Sequence, residues 1–155
     1  ARAIQSVTPT PRLVINDRVD IALAVGADGV HVGQDDMAIE DVRAVAGRRL
    51  VVGVSTHDLD QARVAQAAGA DYLGCGPTFP SGTKSFQEFP GPEFLKTVAK
   101  ELEVPAFAIG GINDENVQSV VESGFQRVAV SGVVHQADSP TQIVGALKQQ
   151  LLADR

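Results

Sequence analysis

Six short runs of β-favouring apolar residues alternate with stretches of helical periodicity, and this alternation limits the possible folds more than any other feature of the chain. The runs are Leu13 to Ile15, Val30 to Val32, Leu50 to Val54, Tyr72 to Cys75, Ala106 to Ile109 and Val128 to Val130. Each is nearly continuously apolar, the pattern of parallel strands covered on both faces. Between them apolar residues recur three and four apart: Ile39, Val42, Val45 and Ala46; Phe94, Leu95, Val98 and Leu102; Val117, Val120 and Val121; Ile143, Val144, Leu147 and Leu151. Such stripes are the core-facing sides of crossover helices. Gly26, Gly47, Gly69 and Gly124 each stand between a helical stretch and the next strand, where a left-handed cap suits glycine. The segments starting at Gly26, Gly69 and Gly124 read as variants of one helix-to-strand unit. Gly91-Pro92 and Ser139-Pro140 open two further helices.

The fold class is therefore α/β, with six β/α units in a single domain over residues 1–155. A sheet of this kind either stays open and doubly wound or closes as an eight-stranded barrel of typically ~250 residues. At 155 residues, a TIM-type (β/α) barrel would be incomplete, with about six of its eight units present. The polar stretch Ala1 to Thr10 reads as the tail of a preceding helix, so the expectation is a partial barrel that lacks an N-terminal segment. Such a sheet leaves two open edges, which invites either that segment or a second copy of the chain to cover them.

Thirteen Lys and Arg against nineteen Asp and Glu give a formal charge of −6, the wrong balance for a general nucleic-acid binder. An anionic ligand would have to be held by local features: a cation, a lysine or backbone N–H groups. The single cysteine forms no internal disulfide, and neither a membrane-spanning run nor a signal sequence is visible. The expected setting is cytoplasmic, with small molecules as partners and no membrane.

Polar and glycine residues gather directly after each strand: Asn16 and Asp17, Gly33 to Asp36, Ser55 and Thr56, Gly76 to Lys84, Gly110 to Asn113, and Ser131 with Gly132. The carboxyl ends of parallel strands all face one side, so these six loops converge on one site. Asp17 and Asp36 lie one unit apart. On neighbouring strands both could reach one hard divalent cation such as Mg²⁺; the other reading is that each caps the helix that follows. The segment Gly76 to Lys84 offers hydroxyls, backbone N–H groups and one ammonium to an anion, although Thr83 precedes Lys84 and no nucleotide P-loop order is present. Gly110-Gly111 and Ser131-Gly132 suit a phosphate cradle, or a plain turn ahead of an Asn113 cap. His31 reads as a hydrogen-bonded core residue, His57 and His135 support no triad, and Cys75 reads as a small buried residue.

At this level of detail the chain resembles the thiamine phosphate synthase family. The matching segments are Val14 to Asp20, His31-Val32-Gly33-Gln34-Asp35-Asp36, Gly53-Val54-Ser55, Gly76-Pro77 through Thr83-Lys84, Ala108 to Ile112, and Val130-Ser131. They occur in family order and cover nearly the whole chain from residue 12. The resemblance implies an eight-stranded barrel of which these are the third to eighth strands. It implies a transferase that joins hydroxymethylpyrimidine pyrophosphate to thiazole phosphate and releases pyrophosphate, in thiamine biosynthesis. It also implies that Asp17 and Asp36 bind Mg²⁺, that Asn16 and Lys84 contact the pyrophosphate, and that Ser55 contacts the pyrimidine. Lys84 and Ser55 would be the catalytic residues, with Ser81, Thr83, Gly111, Val130 and Ser131 on the thiazole phosphate. Ser81 stands where the family usually has threonine, residues 85 to 90 depart from the common pattern, and the family's first two strands have no counterpart here. Two alternatives share the scaffold. Thiazole tautomerases generally lack the acidic pair and carry histidine at the position of Pro77, so Asp17, Asp36 and Pro77 favour the synthase; the other alternative is a non-catalytic ligand-binding remnant.

Overall fold

The computed structural model describes residues 11–80 and 89–153. Six strands form one wholly parallel sheet in sequential order: β1 (Val14–Asn16), β2 (Gly29–Val32), β3 (Val51–Thr56), β4 (Tyr72–Cys75), β5 (Ala106–Ile109) and β6 (Val128–Ala129). Seven helices are described: α1 (Val19–Ala24), α2 (Ile39–Ala46), α3 (Leu59–Ala67), α4 (Gly91–Glu101), α5 (Val117–Glu122), α6 (Gly132–His135) and α7 (Pro140–Leu152). Right-handed crossovers on a sequentially ordered parallel sheet place every helix on the same side, and the sheet curls away from them into a half-barrel.

The pairing register sorts the strand residues between two faces. Val30, Val32, Val52, Val54, Leu73, Cys75 and Ala108 face the helices and are buried against Ala22, Val42, Ala62, Leu95, Val98, Val117 and Val120. This convex layer is the core. The concave face carries Asn16, His31, Ser55, Tyr72, Phe107 and Ile109. Burial on both faces is therefore not what the described residues show, since Val14 and Ile109 remain 38% and 43% exposed on the concave side. The strands read as continuously apolar because that side is partly glycine: Gly29, Gly53 and Gly74 add no polarity to the pattern.

The repeated helix-to-strand unit has one structural basis. Gly26, Gly69 and Gly124 adopt φ of 63°, 86° and 89°. After each, an amide N–H reaches back into the helix: Ala27 to the Ala22 carbonyl (2.9 Å), Ala70 to Ala65 (3.0 Å) and Phe125 to Val120 (3.2 Å). In the first two copies an aspartate follows, whose carboxylate accepts the N–H that opens the preceding strand: Leu13 to Asp28 and Val52 to Asp71, both 2.7 Å. The third copy has Gln126 and Arg127 there and lacks this clamp. Two helical expectations are corrected. Val45 is 52% exposed, because two turns of α2 need only Ile39, Val42 and Ala46 to seal them. Leu102 lies beyond α4 as an extended C-cap.

Candidate functional site

Two strands run past their apolar runs, β1 by one residue and β3 by two, and this lifts Asn16 and Ser55 onto rigid strand ends. Asn16 pairs in register with His31. Asp17 follows with φ of 60°, a left-handed conformation that costs a side-chain-bearing residue about 1–2 kcal/mol. Its N–H donates to the His31 carbonyl at 2.8 Å, which carries the β1–β2 ladder one step further. Asp36 sits on the next loop, where its Oδ2 accepts the Gly33 N–H at 2.7 Å. A Cβ at Gly33 would lie 2.8 Å from that oxygen, so a side chain there would displace the Asp36 carboxylate.

Neither carboxylate caps a helix. The N-cap positions of α1 and α2 are Arg18 and Ala38, neither with a side-chain cap bond. The other condition holds, since β1 and β2 are adjacent and parallel. Both carboxylates act on the same imidazole: Asp17 and Asp36 pull the His31 pKa up, and burial, the larger effect, leaves it below its ordinary value. Among the described residues the Asp17 carboxylate and the Asp36 Oδ1 accept no hydrogen bond. Among the described residues no group of three or more His, Cys, Asp or Glu side chains gathers as a metal cage. Two exposed carboxylates with unengaged oxygens are a donor set suited to Mg²⁺, which keeps several waters and takes ligand phosphate oxygens besides one or two carboxylates.

Behind this pair lies a polar network on the concave face. His31 Nε2 is 2.9 Å from Ser55 Oγ, and His31 Nδ1 is 2.9 Å from Tyr72 Oη. Gln34 donates from Nε2 to the Ser55 carbonyl at 2.6 Å. The tyrosine ring lies over Gly53, where a Cβ would come within 2.0 Å of Cζ, and meets Phe107 edge-on at 5.5 Å. His31 is thus hydrogen-bonded at both nitrogens, as its place in a strand suggested. Tyr72 and Gln34 were missed from sequence. The available signal was register: Tyr72 pairs with Gly53, which pairs with His31, so all three share one face.

Across the sheet, the Gly110-Gly111 pair has φ of 98° and 64° and packs against the backbone of residues 77 to 80. A Cβ at Gly111 would lie 2.5 Å from the Pro80 carbonyl oxygen. Buried Thr78 donates from both its N–H and its Oγ1 to the Ile109 carbonyl, at 2.8 and 3.0 Å, and His57 Nδ1 donates to the Gly76 carbonyl at 2.5 Å. The base of this loop is therefore fastened to the end of β5, beside Gly111. Val130 and Ser131 follow β6 on the neighbouring strand, with Ser131 at the N-cap of α6 and its hydroxyl without a partner among the described residues. Ser81, Thr83 and Lys84 lie outside the described residues. The expected Asn113 cap is made one turn before α5: Asn113 Oδ1 accepts the N–H groups of Glu115 and Asn116, two and three residues on, while Asn116, at the N-cap position of α5, makes no side-chain cap bond.

A cleft of about 770 Å³ lies at the opposite end of the strands, among Asp28, Arg43, Arg48, Arg49 and Asp71. Four of these five, Asp28, Arg43, Arg49 and Asp71, are engaged in holding the fold. Arg43 pairs with Asp71 at 2.6 Å and donates to the Leu50 carbonyl at 2.9 Å, while Arg49 donates to the carbonyls of Val45 and Ala46 at the end of α2. Chemistry in parallel β/α folds belongs to the carboxyl ends of the strands, where Asn16, Asp17, Asp36, Ser55, Gly111 and Ser131 are found.

Comparison with known proteins identifies the family. The chain is 49% identical over 143 residues to a thiamine-phosphate synthase of Rhodopirellula baltica, covering 89% of this chain and 38% of that protein. It is 43% identical over 130 residues to a thiamine-phosphate synthase of Halalkalibacterium halodurans, covering 81% of this chain and 61% of that protein. The chain thus spans less than two thirds of the length of either relative. A solved thiamine phosphate pyrophosphorylase from Pyrococcus furiosus superposes with a TM-score of 0.80 at 36% identity, over 89% of this chain and 66% of that one. A 3-hexulose-6-phosphate synthase from Salmonella typhimurium, at 20% identity and a TM-score of 0.76, shares the fold. The family model described as thiamine monophosphate synthase matches residues 2–134, and the chain belongs to that family.

Proposed function

We propose that this chain carries the pyrophosphate- and thiazole-binding side of a thiamine phosphate synthase, a transferase of thiamine biosynthesis. Its six β/α units are read as part of one TIM-type barrel. The reaction joins the methylene carbon of hydroxymethylpyrimidine pyrophosphate to the ring nitrogen of thiazole phosphate; the C–N bond forms, the C–O bond breaks, and pyrophosphate leaves. The observation that carries this reading is that Asp17 and Asp36, on adjacent strand ends, both act on His31 and leave carboxylate oxygens unengaged.

Asp17 and Asp36 would hold Mg²⁺, which when bound supplies positive charge to the leaving diphosphate. Asn16 donates to a diphosphate oxygen, a role supported by its position at the strand end directly before Asp17. Lys84 supplies the ammonium that meets the leaving group as its charge grows, and Ser55 holds the pyrimidine ring so that its methylene faces the thiazole nitrogen. Ser81, Thr83, Gly111, Val130 and Ser131 bind the thiazole phosphate; the tight packing of Gly111 on residues 79 and 80 supports this by joining two of the contributing segments. The acidic pair and Pro77 favour this reading over a thiazole tautomerase. Among the described residues no helix is long and apolar enough to cross a membrane.

The test is a discontinuous assay with both substrates and Mg²⁺, quantifying thiamine phosphate and released pyrophosphate together. Stoichiometric formation of both is expected. Conversion of one thiazole isomer into another without pyrophosphate release would replace the synthase with the isomerase.

A further inference from the structure

We infer that His31 and Tyr72 are positioning residues that turn the Ser55 hydroxyl into a hydrogen-bond donor toward a heteroaromatic ring in the cleft. This rests on the reading of Ser55 as a pyrimidine contact and adds what sets its polarity. The three side chains form a line on the concave face, Tyr72 Oη to His31 Nδ1 at 2.9 Å and His31 Nε2 to Ser55 Oγ at 2.9 Å. A neutral imidazole has one donor and one acceptor, so the direction of the whole line is fixed by which nitrogen carries the proton.

The phenol chooses that direction. It has His31 Nδ1 as its one acceptor among the described residues, and leaving a half-buried O–H unsatisfied is costly. Burial also pushes the Tyr72 phenol up, so it keeps its proton to donate, and a ring nitrogen that accepts it carries a lone pair. Tyr72 therefore donates to Nδ1, and the imidazole proton sits on Nε2 and is donated to Ser55 Oγ. With one lone pair of Oγ taken up, the serine's own proton is directed away from His31. Gln34 fixes the serine backbone through its carbonyl at 2.6 Å.

The glycines beneath this line have no other evident purpose. A Cβ at Gly53 would run into the Tyr72 ring at 2.0 Å, and one at Gly74 would press His31 Cε1 at 3.2 Å. The Tyr72 ring can lie over β3 only because Gly53 is bare, and a side chain at Gly74 would shift His31 by a few tenths of an ångström. An aminopyrimidine offers ring nitrogens as acceptors, which a donating serine pairs with and an accepting serine does not.

The experiment has two readouts. Long-range ¹H–¹⁵N correlation of the histidine-labelled chain reports the His31 tautomer directly; the Nε2–H form is expected, with Tyr72→Phe introducing the other tautomer. A wild-type Nδ1–H form would overturn the inference. Calorimetry with Mg²⁺ then compares hydroxymethylpyrimidine pyrophosphate with inorganic pyrophosphate. His31→Ala is expected to weaken the pyrimidine ligand about tenfold and leave inorganic pyrophosphate unchanged, while His31→Gln, whose amide can still donate to Ser55, recovers most of the loss. Equal loss for both ligands, or no loss for either, contradicts a positioning role. A wild-type chain that binds inorganic pyrophosphate but gains nothing from the pyrimidine refutes the Ser55 contact itself, whatever the tautomer.

Discussion

Replacing Asp17 with alanine removes a carboxylate that the backbone holds in place at a conformational cost, and nothing in the fold depends on its oxygens. The expected result is a folded protein with turnover reduced at least ~10²- to 10³-fold, as for loss of one preorganised electrostatic contact. Lys84→Ala should behave alike, and near-normal steady-state rates for either would dismiss its assigned role. Cys75 makes a contrasting case. Burial raises its thiol to about 11, only partly relieved by the Thr56 hydroxyl, from an ordinary value near 9. The folded chain therefore keeps a proton that the unfolded chain loses, and stability drops as pH rises from about 9 to 11. Urea unfolding at pH 8 and pH 10.5 should show a smaller drop in Cys75→Ala than in the wild type; identical drops would place the pH dependence elsewhere. Residue types and their order along the chain were enough to expect Asp17, Asp36 and Ser55 at one end of the sheet, where they stand on adjacent strands and the loops that follow. They were not enough to find Tyr72, whose role depends on two glycines on other strands that leave space for rings, and absent side chains leave no mark in a hydrophobicity pattern.

Among the elements, the glycine that closes each helix-to-strand unit, with the aspartate clamp of the first two, decides how firmly the strands are set. Gly69 has φ of 86° with open space around the position of a Cβ, so Gly69→Ala isolates the backbone cost of a left-handed residue, about 1–2 kcal/mol by chemical denaturation. Asp71→Ala should cost a similar ~1–3 kcal/mol, since it orphans the Val52 N–H at the head of β3 and releases Arg43. An unchanged midpoint in both would mean that the repeated unit contributes nothing to stability. The units were visible in sequence because glycine, alanine and aspartate recur at fixed offsets before an apolar run. Strand ends were less visible: Asn16 and Ser55 continue the ladder although they are polar, because they line a cleft, whereas Thr56 is buried on the helix-facing side and donates its hydroxyl to the Gly74 carbonyl. The same pattern overstated Val45, since periodicity marks a helix face and does not say where a short helix stops touching the sheet.

For the whole molecule, β1 and β6 are unpaired on their outer sides among the described residues, and the concave face leaves Val14 and Ile109 partly in water. Open parallel edges are readily paired by another chain. Association between copies, or with a segment that supplies further strands, is the expectation, seen by light scattering as a mass above 16.2 kDa that rises with concentration. A stable 16.2 kDa particle at every concentration would exclude pairing between copies. The alternation of elements announced the parallel sheet from the start, whereas the outer edges depend on residues beyond the six strands and could not be inferred from them. The central claim is that two carboxylates on adjacent strands gather a diphosphate through a shared divalent cation. Isothermal titration of inorganic pyrophosphate into the chain tests it most directly. Binding should require Mg²⁺ and be lost in both Asp17→Ala and Asp36→Ala, whereas pyrophosphate binding that is indifferent to Mg²⁺, or unaltered in both variants, would contradict it.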